Sequence, residues 1–295
     1  MALGFTIVPE GPFSLELAAG FGFGPRSGEG DGRLMRLAFA VDGLREQAGV
    51  VLRQDPDGMV GGEVDGVEDG GLEAVRCQVS RILSLDYDGA AWLRVGERDT
   101  VIRRLQTLYP GLRPVLFHSP YEAAAWAMIS ARLGRRQAVR VRDRIAARLG
   151  RSFELAGQEL HAFALPDALA KLESEQGLSA TKAARLRALA ARAQRGELEA
   201  ERLKLMGNER ATEEVQTFEG IGPFYASLIV VRACGFADVL ADEPLLRRSV
   251  AHYYGLDHPP SHGEFEAIAE PWRPFRTWAS VLVRYAGTRE GLVPR

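Results

Sequence analysis

The stretch from Thr217 to Leu246, TFEGIGPFYASLIVVRACGFADVLADEPLL, constrains the fold of this chain more than any other. It sets a Gly-Ile-Gly turn between two helix-like segments and, about twenty residues beyond, a carboxylate, Asp242, with Glu243 beside it. Gly220 and Gly222 can both take positive φ in a tight turn. The N–H groups that follow them open a helix, where a phosphate is favourably held. Gly220, Ile221 and Gly222 can therefore grip a nucleic-acid backbone without a charged side chain.

Taken alone, the turn is also what an ordinary helix–helix connection looks like. Its context strengthens the phosphate reading: ATEEVQTF approaches as a helix, and PFYASLIVVRACG leaves as one with proline near its start. The carbonyls of Gln216, Phe218 and Gly220 are left unpaired at the end of the first helix and could share a monovalent cation that also touches phosphate. Asp242 precedes the helix-like EPLLRRSVAHYYG, with Pro244 suited to the first turn, so it reads first as an N-cap. The same position would keep its carboxyl ionised, because the helix dipole and N–H groups stabilise the anion. An anion is what stabilises an oxocarbenium-like sugar. Glu243 stays open as the working group.

Charge divides by position. The net charge of −2 looks wrong for a nucleic-acid binder, but residues 1–75 carry five Lys/Arg against thirteen Asp/Glu, which leaves the remainder basic. Nearly all of that positive charge is arginine, the lysines being Lys171, Lys182 and Lys204, and arginine favours bidentate phosphate contacts. With 295 residues and 46% hydrophobic composition the chain can bury a sizeable core in two or three domains. Two distant cysteines, Cys77 and Cys234, speak against a disulfide framework or a four-cysteine iron–sulfur cluster. The N-terminal MALGFTIVPEG lacks a charged leader with a long apolar run, and no stretch is long enough to span a membrane, so a soluble cytoplasmic protein is expected.

From Phe5 to about Val64 short alternating runs (FTIV, FSLELA, LMRLAFAV, GVVLRQ, GMVGGEV) predict an antiparallel meander, with PRSGEGDG, Pro25 to Gly32, as a flexible loop. Leu72 to Leu85 has helical spacing and should cover one face of the sheet. After Asp88 the pattern predicts helices to the end. Ser119-Pro120-Tyr121-Glu122 and Ser261-His262-Gly263-Glu264 read as capping boxes, and Gly150, Gly177 and Gly196 as helix stops. The domains expected are 1–88, a sheet with a covering helix, and 89–295, all helical, with its hairpin core at about 113–232 and the segments 89–112 and 233–295 forming the other lobe.

Trp272, Trp278 and Tyr285 in EPWRPFRTWASVLVRYAG read mainly as core, yet with Trp126, Phe224 and Tyr225 they could also stack a flipped or cationic base. His118, His161, His252, His258 and His262 lack metal-ligand spacing and read as surface or cap residues. There is no Walker-type phosphate loop, nucleophile elbow or dinucleotide fingerprint.

Four segments together, PGLRPVLFHSPYEAAAWAMIS, LSATKAARLRALAARAQRGEL, QTFEGIGPFYA and AEPWRPFRTWASVLVRYA, resemble the helix-hairpin-helix superfamily of base-excision DNA glycosylases, and within it the bacterial 3-methyladenine DNA glycosylase II group. The resemblance covers about Pro110 to Gly287. It implies a mainly α fold with an N-terminal α+β domain, and a monomer acting on duplex DNA that contains damaged bases. It also implies location with the bacterial nucleoid and no required cofactor. Asp242 falls at the family's catalytic aspartate, and Gln216, Phe218 and Gly220 at its cation carbonyls. Phe224 stands where members with strand-cleaving lyase activity carry lysine, so the resemblance implies a monofunctional enzyme that forms no Schiff base. Arg132 and Leu133 fall at the loop that wedges into DNA. Leu228 and Arg284 replace aromatic residues around the base, which thins the cage. The implied reaction is hydrolytic release of alkylated purines of the 3-methyladenine and 7-methylguanine type. The rival expectations are a non-catalytic DNA-structure binder and a glycosylase for a neutral lesion such as hypoxanthine.

Overall fold

The computed structural model describes residues 3–24 and 34–292; the expected loop Pro25 to Gly32 lies outside them. Four strands form an antiparallel sheet: β1 (Leu3–Ile7), β2 (Leu34–Ala40), β3 (Gln47–Gln54) and β4 (Val60–Asp65). Only β2, β3 and β4 form a meander. β1 returns to pair with β4, Leu3 opposite Val64 and Ile7 opposite Val60, giving the order β1-β4-β3-β2. FSLELA, expected as a strand, is instead the helix α1 (Leu15–Ala19): Ser14 Oγ accepts from Leu17 N at 3.2 Å, and Leu15 and Ala18 turn inward one helical turn apart. The helix α2 (Leu72–Ile82) covers one sheet face, burying Val75, Val79 and Ile82 against Leu37, Phe39, Val50 and Leu52.

Helices follow, interrupted by an unexpected hairpin. The first are α3 (Gly89–Leu93), α4 (Val95–Arg98), α5 (Thr100–Leu108), α6 (Pro120–Ser130) and α7 (Arg135–Leu149), the last ending at Gly150. Then β5 (Ser152–Leu155) and β6 (Gln158–His161) form a two-residue-turn hairpin, with Ala156 at φ 46° and Gly157 at φ 78°. The helical reading after Asp88 is corrected here. The hairpin supplies the second cover of the N-terminal sheet: Phe153 and Leu155 pack on Leu34, Ala38 and Val51. Gly49 on β3 makes room for it, since a Cβ there would lie 2.7 Å from the Phe153 ring.

The chain continues with α8 (Pro166–Leu169), α9 (Ala180–Gln194), α10 (Ala200–Met206), α11 (Asn208–Gln216), α12 (Pro223–Cys234), α13 (Pro244–Tyr254), α14 (His262–Ala269) and α15 (Arg276–Arg289). Gly196 at φ 77° follows α9 as expected, whereas Gly177 lies in the loop before α9 and ends no helix. Two helical cores result. One gathers residues of α6, α7, α9, α11 and α12; the other joins Trp92, Ile102 and Leu105 to Leu246, Phe265, Trp272 and Leu282. No helix among the described residues is long and apolar enough to cross a membrane.

α6 is apolar all round and buried from Pro120 to Ile129, which puts it at the centre of its lobe. Its capping box is half formed. Ser119 Oγ accepts from Glu122 N at 3.2 Å, but the Glu122 carboxylate turns away to accept from Ala40 N (3.1 Å) on the sheet and to meet His118 Nδ1 (3.1 Å) and Arg142 (3.7 Å). Burial alone would push the Glu122 carboxyl up, yet His118, Arg142 and the Ala40 N–H together hold it below its ordinary value. His118 is thus a buried residue at the joint between sheet and helices, not a surface one. Ser261 and Glu264 form the second box in full.

Candidate active site

The turn between α11 and α12 has the expected helix-hairpin-helix shape with one correction. Gly220 sits at φ +91°, but Gly222 has φ −86° and ψ 174°, an extended conformation open to any residue. A Cβ on Gly220 would lie 2.8 Å from Arg185 Cδ, while one on Gly222 would meet nothing within 4 Å. The fold therefore requires glycine at 220, and at 222 leaves the backbone bare at the N-terminus of α12. The turn is braced from within: Arg192 stacks 3.5 Å above the Phe218 ring and donates to Thr217 Oγ1 at 2.9 Å. Ile221 is buried, and its N–H donates to the Phe218 carbonyl at 3.0 Å. Of the three candidate cation carbonyls, that of Phe218 thus already holds one hydrogen bond.

One face of α12 runs from this turn toward the second lobe. Phe224 is 61% exposed and Tyr225 half-buried, with its hydroxyl 3.4 Å from Ser130 Oγ. Leu228 and Arg232 follow one and two turns on. Arg232 lies 3.9 Å from the Phe23 ring centroid and donates to Val115 O. Phe23 packs on Phe117, and Phe21 stacks on Tyr285 of α15 at 5.8 Å with an interplanar angle of 11°. Tyr109 meets the same Tyr285 edge-on at 5.1 Å. The segment after α1 thus inserts two aromatic rings between the lobes. Sequence reading missed them, because Phe21 and Phe23 sit in a glycine-rich stretch with no periodicity.

At the head of α13 the two adjacent carboxylates have different partners. Asp242 does not cap the helix; the N-cap residue is Glu243, whose own side chain makes no capping bond. Asp242 Oδ1 accepts from Arg247 Nε (2.5 Å), and Oδ2 accepts from Arg247 Nη2 (2.5 Å) and lies 2.9 Å from His262 Nδ1. The Arg247 bonds, and after them His262, hold its carboxyl below the usual range against the effect of burial. His262 was expected as a cap or surface residue; twenty residues away, it could be joined to Asp242 only by the fold. Glu243 pairs with Arg284 of α15. The arginine beside Tyr285 thus has its charge matched by a carboxylate.

The other candidates separate into rim and core. Arg132 is exposed, in the left-handed region at φ 56°, and Leu133 is half-buried against the first lobe. Their loop is clamped by Lys182, whose Nζ donates to Ile129 O (2.7 Å) and Ala131 O (2.6 Å). Trp272 is fully buried, with Nε1 donating to Asp99 Oδ2 at 3.0 Å, and Trp278 is buried among Trp92, Tyr87 and Phe275. Neither exposes a face on which a base could stack, so both are core. Trp126 is 9% exposed in the first lobe's core. Among the described residues no group of His, Cys, Asp and Glu is placed to hold a metal ion.

No protein-family model matches the chain. The solved structure of the 3-methyladenine DNA glycosylase from Archaeoglobus fulgidus is similar over 99% of this chain and 100% of its own, with a TM-score of 0.77 and 26% identity. The chain has the fold of the helix-hairpin-helix DNA glycosylases. A curated relative, the DNA-3-methyladenine glycosylase of Bacillus subtilis, is 21% identical over 201 residues, and the match spans 66% of the length of each. The superfamily fold extends to a Clostridium acetobutylicum 8-oxoguanine glycosylase/lyase solved with duplex DNA, at 17% identity, covering 84% of this chain and 86% of that one, with a TM-score of 0.61. The mainly α architecture with a small antiparallel sheet is that of this helix-hairpin-helix superfamily.

Proposed function

We propose that this chain is a monofunctional DNA glycosylase that acts as a monomer on duplex DNA, flips an alkylated purine of the 3-methyladenine or 7-methylguanine type and releases it by hydrolysis. The observation that carries the reading is the pair of carboxylates at the head of α13, Asp242 on Arg247 and His262 and Glu243 on Arg284 of α15, with no lysine among their partners. The bare backbone at Gly222 supports a phosphate contact at the N-terminus of α12, and a monovalent cation on the Gln216, Phe218 and Gly220 carbonyls would strengthen it. Arg132 and Leu133 fill the space a flipped nucleotide leaves. Phe224, Tyr225 and Leu228 of α12 and Tyr285 of α15 are the side chains offered to an extruded base.

An N3- or N7-alkylated purine already carries positive charge, so its departure needs no general acid. A carboxylate that stabilises the sugar cation and orients water is sufficient. Of the three lysines, Lys182 is spent on the carbonyls of α6 and Lys204 lies 3.4 Å from Asp86, which supports hydrolysis without an amine nucleophile. The names of the Archaeoglobus and Bacillus relatives support 3-methyladenine-type lesions. The test is a panel of single-lesion duplexes carrying 7-methylguanine, 3-methyladenine or hypoxanthine. Alkali-labile sites on the methylated duplexes, without spontaneous strand cleavage or borohydride trapping, are expected. Release of hypoxanthine alone would change the substrate class, and salt-dependent binding with no release from any lesion would leave a DNA-structure binder.

A further inference from the structure

Resting on the glycosylase reading and deepening it, we infer that the carboxylate meeting the sugar is Glu243, while Asp242 serves as a positioning residue that locks the head of α13. Every oxygen of Asp242 is already engaged. Arg247 grips both of them at 2.5 Å, His262 adds a third contact at 2.9 Å, and Arg247 in turn donates to Pro260 O at 3.0 Å. This ties the first turn of α13 to the segment that opens α14. A carboxylate neutralised by a bidentate guanidinium projects little negative field toward a third party, and freeing it would break two charge-assisted bonds.

Glu243 is held differently. Its backbone is extended, at φ −134° and ψ 148°. Successive side chains on extended backbone point to opposite sides, so Asp242 faces the start of α14 while Glu243 faces α15. There its recorded partner is Arg284, next in sequence to the Tyr285 that stacks on Phe21. The pair is partly open to solvent, with side-chain exposures of 25% for Glu243 and 38% for Arg284. The Asp242–Arg247 pair is exposed to a similar degree, at 32% and 24%, but it is held by two bonds and His262, whereas the single contact of Glu243 can be exchanged at small cost. Arg284 thus occupies the side of the Glu243 carboxylate that the developing sugar cation would face, and in this partly solvated pair its guanidinium can turn to solvent as that cation forms.

In the reaction so assigned, the C1′–N bond breaks and its electron pair leaves on the purine nitrogen, cancelling the charge of the alkylated ring. The positive charge that appears on the sugar faces Glu243. A water oxygen then bonds to C1′, its proton passes to the Glu243 carboxylate, and from there it passes to solvent. The extra methylene of glutamate lets the carboxylate reach past the helix end, while the N-cap backbone stays fixed by the Asp242 lock.

Single-turnover release of 7-methylguanine, with duplex affinity and Tm measured on the same preparations, decides the assignment. Glu243→Gln should lower the release rate about a hundredfold or more, with affinity and Tm little changed, and Glu243→Asp should recover part of the loss. Asp242→Asn should lower the rate less than about tenfold and also lower Tm, since it loosens the lock. Near-normal release by Glu243→Gln together with abolished release by Asp242→Asn would overturn the inference and leave the glycosylase reading standing. Equal losses in both variants would also overturn it. A wild-type protein that releases no base from any lesion would instead sink the reading on which it rests.

Discussion

Two clusters of carboxylate, arginine and histidine, one where α6 meets the sheet and one at the head of α13, are built from the same residue types. At the joint with the sheet, Glu122 and His118 are buried with Arg142 partly buried beside them, and the Glu122 carboxylate also caps the Ala40 N–H of an edge strand. At the head of α13, Asp242, Glu243, Arg247, His262 and Arg284 keep between a quarter and two thirds of their side-chain surface in solvent. The difference lies in what can replace a partner. Removing one member of the buried cluster strands a charge where water cannot reach it. At α13 water can take over from a lost partner, so the same residue types that cement the first site are held less tightly at the second. The contrast extends to the hairpin glycines, where Gly220 answers to Arg185 beneath it and Gly222 to nothing in the chain.

The strongest way to break this contrast is to compare Glu122→Ala with Glu243→Ala in urea unfolding. The first should lose about 3–5 kcal/mol of stability, the second less than about 1 kcal/mol. Similar losses would remove the distinction. Next in size is Gly220→Ala, which combines a left-handed φ with a 2.8 Å approach to Arg185 and should destabilise by about 1–3 kcal/mol. Gly222→Ala should leave the unfolding midpoint in place and weaken duplex binding, read by titration of a labelled oligonucleotide. A stability loss there would show that the position serves the fold.

The smallest effect is in pH. The native Asp242 carboxyl is held below its ordinary value, so its pairing contributes fully above the unfolded carboxylate pKa of about 4 and fades as pH falls through the lowered native value. The stability gap between wild type and Asp242→Asn should therefore be constant from neutral pH down to about pH 5 and close on further acidification. A gap that widens in acid would mean that the Arg247 and His262 contacts do not govern Asp242.

Much of this was legible in the sequence because it is local. The helix-hairpin-helix turn, the Ser119 and Ser261 caps, the apolar α6 and the covering helix α2 each follow from residues a few positions apart. The failures were equally physical. FSLELA fits a strand and a short helix alike until the Ser14 cap decides, and SFELAGQELH offers only two four-residue strands inside a helical stretch. Both capping boxes were visible, but Glu122 found a better acceptor's role across the domain joint than at its own helix end. Trp272 and Trp278 looked as suited to a base as to a core, and only burial separated the two roles.

By itself, then, the sequence determined the mainly helical fold, the hairpin, and the presence of two carboxylates after a glycine-marked helix, because turn, cap and period are set by neighbours along the chain. Tertiary structure alone decided which arginine each carboxylate meets, Arg247 for Asp242 and Arg284 for Glu243. It also brought Phe21 and Phe23 between the lobes and set His262 against Asp242. Those assignments depend on which charges are stripped of water and which partners the packing brings within hydrogen-bond distance, and neither quantity exists until the chain has closed on itself.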